Sequence, residues 1–222
     1  MSKLVIAAIG PASSVQDGGR PGSQRYGLVP SGAMDRLALA TANALVGNQP
    51  FAAAVEIGPF GASFTARGGV RIALAGASRN ADIAGRSMVS DTSATLADGE
   101  TLLENAAQEP EVIARAGLGS PYPRPLQAGD ELQTTDASGA AERRIELPTA
   151  ADAPIRVVWG PQDDEFADET KRLFIDSEWK VSPTSDRMGY RLEGPVLKHL
   201  HGHNIVSDGT VNGSIQVPGN GQ

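Results

Sequence analysis

The chain has 222 residues, of which 40% are hydrophobic, and it contains 26 glycines and 15 prolines. This length allows one large hydrophobic core or two small ones, and the many turn-forming residues favour short strands. A net charge of −7 argues against nucleic acid or an anionic membrane as the main partner, and the lack of cysteine excludes disulfides and thiolate metal ligands. We therefore expect a mainly β protein, with the cytoplasm as its default location.

The first predicted element is a buried strand over residues 4–9, an apolar run that Gly10 and Pro11 end. Because the run stops early and no small-residue cleavage site follows it, we interpret it as a strand rather than a signal peptide. No later run approaches the ~18 apolar residues of a membrane span. We predict no membrane association.

Residues 14–35, here called the glycine-rich loop, alternate glycine and proline with polar side chains. Glycine and proline fix unusual backbone angles, so this segment predicts a shaped polar surface. Guanidinium groups match carboxylates and planar amides in a bidentate way. A loop that only holds its own polar groups is an equally open alternative. The candidate binding residues are Gln16, Asp17, Arg20, Ser31 and Asp35.

A helix is predicted directly after this loop, since apolar side chains recur at helical spacing from residue 34 to residue 45. Ser31 or Asp35 is placed to cap its start, and Gly47 to end it. The helix start would offer free N–H groups to an anion. The predicted face consists of Met34, Leu37, Ala38, Thr41 and Leu45.

Short strands are predicted over residues 54–57, 62–66 and 70–75, with further short pieces over 82–101 and a strand beginning near 131. Residues 103–125 show no clear period and predict a loop. Residues 136–153 lack large apolar side chains and predict a linker.

The part after this linker begins with a predicted strand over residues 155–159 and a helix over about 163–176, and a short strand follows at 179–181. So few elements cannot close a barrel or pair every strand edge. We expect either a truncated second lobe or a partner that completes it.

Two further polar clusters lie near the end of the chain. Arg187 and Arg191 flank Gly189 and could bind a second oxyanion, although surface ion pairs are an equal alternative. The alternating histidines, His199, His201 and His203, favour a solvated loop over a metal site because no carboxylate cluster lies near them in sequence. We predict no metal ligands. The serines lack a nucleophile elbow, and the glycines form no Walker-type loop that would bind ATP.

Six segments spread over most of the chain closely resemble the biotin-dependent carboxyltransferase subdomain family. This family also goes by the names allophanate hydrolase subunit 2, KipA-like, and the C component of 5-oxoprolinase. The matching segments are residues 15–22 (VQDGGRPG), 30–35 (PSGAMD), 42–48 (ANALVGN), 160–164 (GPQDD), 182–195 (SPTSDRMGYRLEGP) and 213–218 (GSIQVP).

The resemblance implies two cyclophilin-like β-barrel lobes with a few short helices. We place the first lobe at residues 1–135, the linker at 136–153, and the second, apparently incomplete lobe at 154–222. The resemblance also implies a complex with a sister subunit of the KipI or allophanate hydrolase subunit 1 type, and with a further oxoprolinase subunit. This chain would then be active only in the complex.

The function implied first is that of the C component of a 5-oxoprolinase, which opens 5-oxoproline to glutamate with ATP bound through the complex. One alternative is the carboxyltransferase subunit of a biotin-dependent urea carboxylase or allophanate hydrolase system. Another is a KipA-like regulatory binding protein. The predicted catalytic residues are Asp17, Arg20 and Arg187, and the predicted substrate-binding residues are Gln16, Ser31, Asp35, Arg191 and Gln216.

Overall fold

The computed structural model describes residues 2–26, 28, 30–104, 111–114, 126–134, 141–147, 154–185, 189–204 and 209–221. Its contacts divide the chain into two compact units, Met1–Thr149 and Ala150–Gln222, and each is described by itself. The predicted lobe boundaries stay a prediction.

The first unit consists mainly of short antiparallel strands. They are β1 (Lys3–Ile9), β2 (Ser14–Gln16), β3 (Ala54–Ile57), β4 (Ala62–Arg67), β5 (Val70–Gly76), β6 (Ala81–Ile83), β7 (Arg86–Met88), β8 (Thr92–Leu96), β9 (Thr101–Glu104), β10 (Glu111–Ala114) and β11 (Glu131–Gln133). Six of them form a sheet in the order β11-β1-β4-β9-β6-β7, and five form a second sheet in the order β2-β3-β10-β5-β8. Both sheets are open within the described residues.

One hydrophobic core is shared by the two sheets, since buried side chains from both belong to a single cluster. Leu4 and Phe64 come from the six-stranded sheet, and Val55 and Ile72 come from the five-stranded sheet. Each of these side chains is at most 2% exposed. Burying such side chains is the dominant favourable term in folding, so this cluster fixes the sheets that carry the loops.

A single α-helix in the described part of the first unit, α1 (Arg36–Val46), follows the glycine-rich loop. Gly47 ends α1 in the left-handed conformation, as the sequence predicts. A second hydrophobic cluster packs Leu39 and Leu45 of α1 against Ala73 of β5. The five-stranded sheet therefore holds this helix and the loop before it.

Two details of the first unit differ from the sequence prediction. Residues 111–114, predicted as loop, form β10, which pairs with both β3 and β5. The helix is present, but its buried face is centred on Leu39 and Ala42, whereas Leu37 is 62% exposed. Met34 precedes the helix rather than belonging to its face.

The second unit contains the α-helix α2 (Asp168–Asp176), which follows a 3-10 turn at Asp163–Glu165. A two-stranded ladder joins β12 (Lys180–Val181) to β13 (Leu192–Glu193). The predicted strand over residues 155–159 is wrong, because this stretch has no strand structure. The predicted helix is shortened, since Phe166 lies between the 3-10 turn and α2.

The mainly β fold with few short helices is confirmed. The strands of the described residues close no barrel, because the two end strands of each sheet in the first unit are not paired with each other. No helix in the part of the chain that the structure describes is long and apolar enough to cross a membrane.

Candidate functional site

The glycine-rich loop closes on itself through main-chain hydrogen bonds between its two ends. Arg20 N donates to Pro30 O at 2.6 Å, and Ala33 N donates to Asp17 O at 3.0 Å. Gly19 and Gly32 both have positive φ values, 75° and 93°. A Cβ on Gly19 would lie 2.5 Å from Ser31 O, and a Cβ on Gly32 would lie 2.8 Å from Gly19 N. Glycine is therefore required where the two halves of the loop touch.

The polar side chains of the loop make local contacts that define its surface. Asp17 Oδ1 accepts a hydrogen bond from Gly19 N at 2.8 Å, which fixes the turn. Arg20 Nη2 donates to Ser31 Oγ at 3.0 Å, and both side chains are exposed. Gln16 Nε2 donates to Ser14 Oγ at 2.8 Å within β2. The structure thus brings Asp17, Arg20 and Ser31 together and places Gln16 at the start of the same loop.

Two carboxylates accept main-chain hydrogen bonds at the start of α1 or just before it. Asp35 Oδ1 accepts from Ala38 N, and Glu56 Oε2 accepts from Met34 N, each at 2.8 Å. Ala38 N, in the first turn of α1, is thus bonded to a protein carboxylate, whereas Met34 N lies before the helix. Asp35 is therefore a helix cap, and Ser31, the other candidate, is not. Anion binding at the other N–H groups of the helix start stays a prediction.

Sequence reasoning missed Glu56, which is only 2% exposed on β3. The sequence pattern that could have identified Glu56 is a charged residue between Val55 and Ile57 in a strand that is otherwise apolar. Since charges are rarely buried without a partner, such a residue predicts a specific polar contact.

A second missed carboxyl, Asp91, lies close enough to Asp35 to interact with it electrostatically. Burial raises the pKa of the Asp91 carboxyl above its ordinary value, and the Asp35 charge adds to this effect. A hydrogen bond from the Gly76 backbone acts in the opposite direction on this pKa. Asp91 Oδ1 is buried and makes no hydrogen bond within the described residues.

Arg36, also missed, joins the loop to the chain beyond the helix. Its Nη1 donates to Gly18 O at 2.6 Å, and its guanidinium carbon lies 4.6 Å from the centre of the Phe51 ring. This cation–π contact and the hydrogen bond hold Gly18 beside Phe51.

Away from the loop, the first unit contains a buried ion pair that the sequence did not reveal. Arg79 Nη1 donates to Glu104 Oε1, and their side chains are 1% and 0% exposed. Arg79 Nη1 also donates to Gly58 O at 3.2 Å. Because Glu104 belongs to the six-stranded sheet and Gly58 follows β3 of the other sheet, Arg79 links the two sheets.

The predicted site residues of the second unit are Arg187, Arg191 and Gln216. Arg187 lies outside the described residues. Arg191 is exposed, and its main chain bonds to Ser182 and to the Ser185 hydroxyl. Gln216 is exposed as well. The contribution of these three residues to a site stays a prediction.

The three histidines do not converge on one point. The His199 ring packs 4.9 Å from the Phe166 ring, and its Nε2 lies 3.2 Å from Val217 O. His201 and His203 are exposed. Among the described residues, no group of three or more histidine, aspartate or glutamate side chains could hold a metal ion.

Comparison with known proteins places the chain in a family. The family model of the carboxyltransferase domain, subdomain A and B, matches residues 26–110 and 111–222. The C component of 5-oxoprolinase from Escherichia coli (strain K12) is 31% identical over 99% of this chain and 77% of its own length.

Two solved structures are also similar. The crystal structure of TTHA0988 is 29% identical, with a TM-score of 0.82, over 100% of this chain and 48% of that chain. This chain thus spans about half the length of TTHA0988. The crystal structure of the K. lactis urea amidolyase is 25% identical, with a TM-score of 0.69, over 89% of this chain and 14% of that chain.

The predicted family resemblance is confirmed, since the family model covers residues 26–222 and the similarity to a C component of 5-oxoprolinase extends over nearly the whole chain. The chain belongs to the carboxyltransferase-domain family, subdomains A and B.

Proposed function

We propose that this chain is the C component of a 5-oxoprolinase-type complex, which hydrolyses 5-oxoproline to glutamate in an ATP-dependent reaction. The observation that carries this proposal is the 31% identity to the C component of the Escherichia coli 5-oxoprolinase over 99% of this chain. The reaction breaks the C–N bond of a small cyclic amide that also carries a carboxylate.

The glycine-rich loop supplies suitable groups for such a substrate. Arg20 is exposed and already donates to a neutral hydroxyl, Ser31 Oγ. A substrate carboxylate is a stronger acceptor than a hydroxyl, so Arg20 would bind it in place of this contact or beside it. Asp17 is fixed by Gly19 N, and in this proposal its carboxylate accepts a hydrogen bond from the amide N–H. In this proposal Asp17 and Arg20 act in catalysis, and Gln16, Ser31 and Asp35 shape the substrate site.

The proposal also assigns roles to polar residues of the second unit. We assign a catalytic role to Arg187 and substrate contacts to Arg191 and Gln216, on the strength of the motifs at residues 182–195 and 213–218. These assignments rest on sequence alone.

In this proposal ATP binds outside the glycine-rich loop. The space beside Gly19 and Gly32 is filled by backbone atoms from the opposite side of the loop, with Ser31 O 2.5 Å from the position of a Gly19 Cβ. A phosphate-binding loop needs open backbone N–H groups around the anion. We therefore assign ATP to another subunit of a cytoplasmic complex.

Exposed apolar side chains of the second unit support the proposal that it works with partners. Ile155 and Val158 are 92% and 96% exposed, and Val211 is 78% exposed. Exposed apolar surface is typical of regions that bind other proteins. The proposed partners are a sister subunit of the KipI or allophanate hydrolase subunit 1 type and a further oxoprolinase subunit.

A second candidate is the carboxyltransferase subunit of a biotin-dependent urea carboxylase or allophanate hydrolase system. It is favoured by the similarity to the K. lactis urea amidolyase over 89% of this chain. Urea is also a small planar amide, so the same loop groups would serve it. In that case the carboxyl group would come from carboxybiotin on a partner.

The test is the rate of ATP-dependent glutamate release from 5-oxoproline by this chain with its co-purified partners. We expect Arg20→Ala to lower kcat/KM at least tenfold, because a charge-assisted bond to the substrate carboxylate is lost. Arg67→Ala, which removes an exposed arginine at the end of β4, is the matched control and should keep wild-type activity.

Size-exclusion chromatography would show whether each variant still assembles with its partners. An assembled Arg20→Ala complex with wild-type kcat/KM would contradict the assigned role of Arg20. Assembly without turnover of either 5-oxoproline or urea, even for wild type, would instead favour a KipA-like regulatory protein.

A further inference from the structure

A cavity of about 320 Å³ lies in the first unit, lined by residues remote in sequence from the glycine-rich loop. One wall is β7, and the other is β8 with the segment at residues 142–144 that runs beside it. Ser93 N donates to Arg143 O at 2.8 Å, and Arg143 N donates to Ser93 Oγ at 2.8 Å. Because hydrogen-bonded β structure forms both walls, the fold itself fixes the position of the cavity.

The lining of this cavity is positively charged in an acidic protein. Three arginines and one glutamate line it, which gives a net charge of +2, whereas the whole chain carries −7. The glutamate, Glu142, already accepts a hydrogen bond from Thr95 N at 2.9 Å. The arginines are Arg86, Arg143 and Arg144.

The side-chain contacts of these three arginines with described protein groups are long. Arg86 lies 3.4 Å from Glu100, and Arg144 lies 3.9 Å from Glu146. Arg143 Nη1 lies 3.4 Å from Ala44 O. The Arg86 and Arg144 side chains are 56% and 68% exposed, and exposed ion pairs contribute little stability. Replacing these contacts by contacts with a ligand therefore costs little free energy.

Two other arginines of the first unit, Arg71 and Arg79, make closer contacts elsewhere. Arg71 donates to Thr95 Oγ1 at 2.8 Å and to Ala141 O at 2.9 Å. Arg79 is buried against Glu104. The polar contacts of the three cavity arginines are longer than those of Arg71 and Arg79.

The remaining lining includes an apolar surface. Ile83, Met88 and Ala94 are at most 7% exposed and line the cavity beside the arginines. Small-molecule sites typically combine such an apolar surface with a few charged groups, and the volume is at the lower end of their usual ~300–1,000 Å³.

We propose that this cavity binds a small organic anion, with a carboxylate or phosphate group held by Arg86, Arg143 and Arg144 and a short apolar body against Ile83, Met88 and Ala94. Guanidinium groups bind both kinds of oxyanion in a bidentate way. The proposal is independent of the proposed catalytic function, because it uses no residue of the glycine-rich loop.

The test is isothermal titration calorimetry on the full chain at low salt, with L-glutamate as the carboxylate probe and inorganic phosphate as the phosphate probe. We expect at least one probe to bind, and its affinity to fall at least tenfold in the double variant Arg86→Ala, Arg144→Ala. The double variant Arg67→Ala, Arg156→Ala removes the same charge from exposed positions outside the cavity and should bind as wild type does.

Binding of glutamate alone would identify a carboxylate ligand, and binding of phosphate alone a phosphate ligand. Because glutamate is also the product in the proposed function, Arg20→Ala separates the two sites: it should leave cavity binding unchanged. The proposal is overturned if neither probe binds, or if the Arg86, Arg144 double variant, shown to be folded by circular dichroism, binds as tightly as the control. It is also overturned if Arg20→Ala abolishes the binding.

Discussion

The glycine-rich loop depends on single residues that let two backbone segments touch. Gly19 and Gly22 both have positive φ values, 75° and 81°. At Gly19 a Cβ would meet Ser31 O, whereas at Gly22 nothing lies within 4 Å of it. The two glycines therefore share a backbone conformation, but only at Gly19 would a side chain also collide with a neighbouring segment.

We predict that Gly22→Ala destabilises the protein by about 1–2 kcal/mol, the cost of the left-handed conformation for alanine. Gly19→Ala should cost at least about 1 kcal/mol more, because the loop must also move apart. Urea unfolding of the two variants and wild type measures this difference. Equal losses in the two variants would show that the backbone contact between Gly19 and Ser31 is not needed.

Asp91 makes stability depend on pH. Its pKa is raised in the folded state, first by burial, so the folded protein binds this proton more tightly than the unfolded chain does. The stabilising contribution of protonated Asp91 is thus fully present below the ordinary aspartate pKa and is lost as the pH rises through the raised value. At neutral pH the charged carboxylate destabilises the fold.

We predict that Asp91→Asn gains stability relative to wild type as the pH rises from about 3 to 7. Asparagine tolerates the positive φ of 61° at this position and keeps an acceptor for the Gly76 backbone. The measurement is the free energy of unfolding of wild type and of Asp91→Asn at several pH values across this range, which gives the stability difference between them. A difference that stays constant, or that shifts in favour of wild type as the pH rises, would contradict the raised pKa.

At the scale of elements, α1 shows what its buried face contributes. Leu39 is 0% exposed between the helix and the five-stranded sheet, whereas Leu37 on the same helix is 62% exposed. We predict that Leu39→Ala lowers the free energy of unfolding by about 2–5 kcal/mol through the cavity it leaves. Leu37→Ala should cost less than about 1 kcal/mol. Urea unfolding checks both values, and similar losses would mean that the helix packs through another face.

The elements that the sequence predicted best are those with local signals. The strands β1, β3 and β5 are apolar runs ended by glycine, and α1 has a cap at each end. β10 was missed because its structure depends on pairing with β3 and β5, strands more than 30 residues away along the chain. The failed strand at residues 155–159 shows the reverse case, in which apolar residues have strand propensity but no pairing partner among the described residues.

The candidate site was predictable only in part. Asp17, Arg20, Ser31 and Asp35 stand in one glycine-rich stretch, and each makes a local hydrogen bond there or at the start of α1. Glu56 and Asp91 come from distant segments, and tertiary packing alone brings them to the start of α1. The arginine-lined cavity was missed for the same reason, since Arg86 and Arg144 are 58 positions apart in the chain.

At the scale of the whole molecule, the two units bury apolar side chains to very different extents. Two hydrophobic clusters organise the first unit, whereas Leu197 is the only hydrophobic residue of the second unit that is buried among the described residues. A unit of this kind gains little stability from its own core. This contrast supports the proposal that partner proteins complete the working enzyme.

In the proposed function, this chain is a required part of an enzyme that opens 5-oxoproline. The most direct measurement is glutamate release in the presence of ATP by the partner proteins with and without this chain, with urea as the competing substrate. We expect glutamate release from 5-oxoproline only when the chain is added back. Carboxylation of urea with carboxybiotin, or equal glutamate release without the chain, would contradict it.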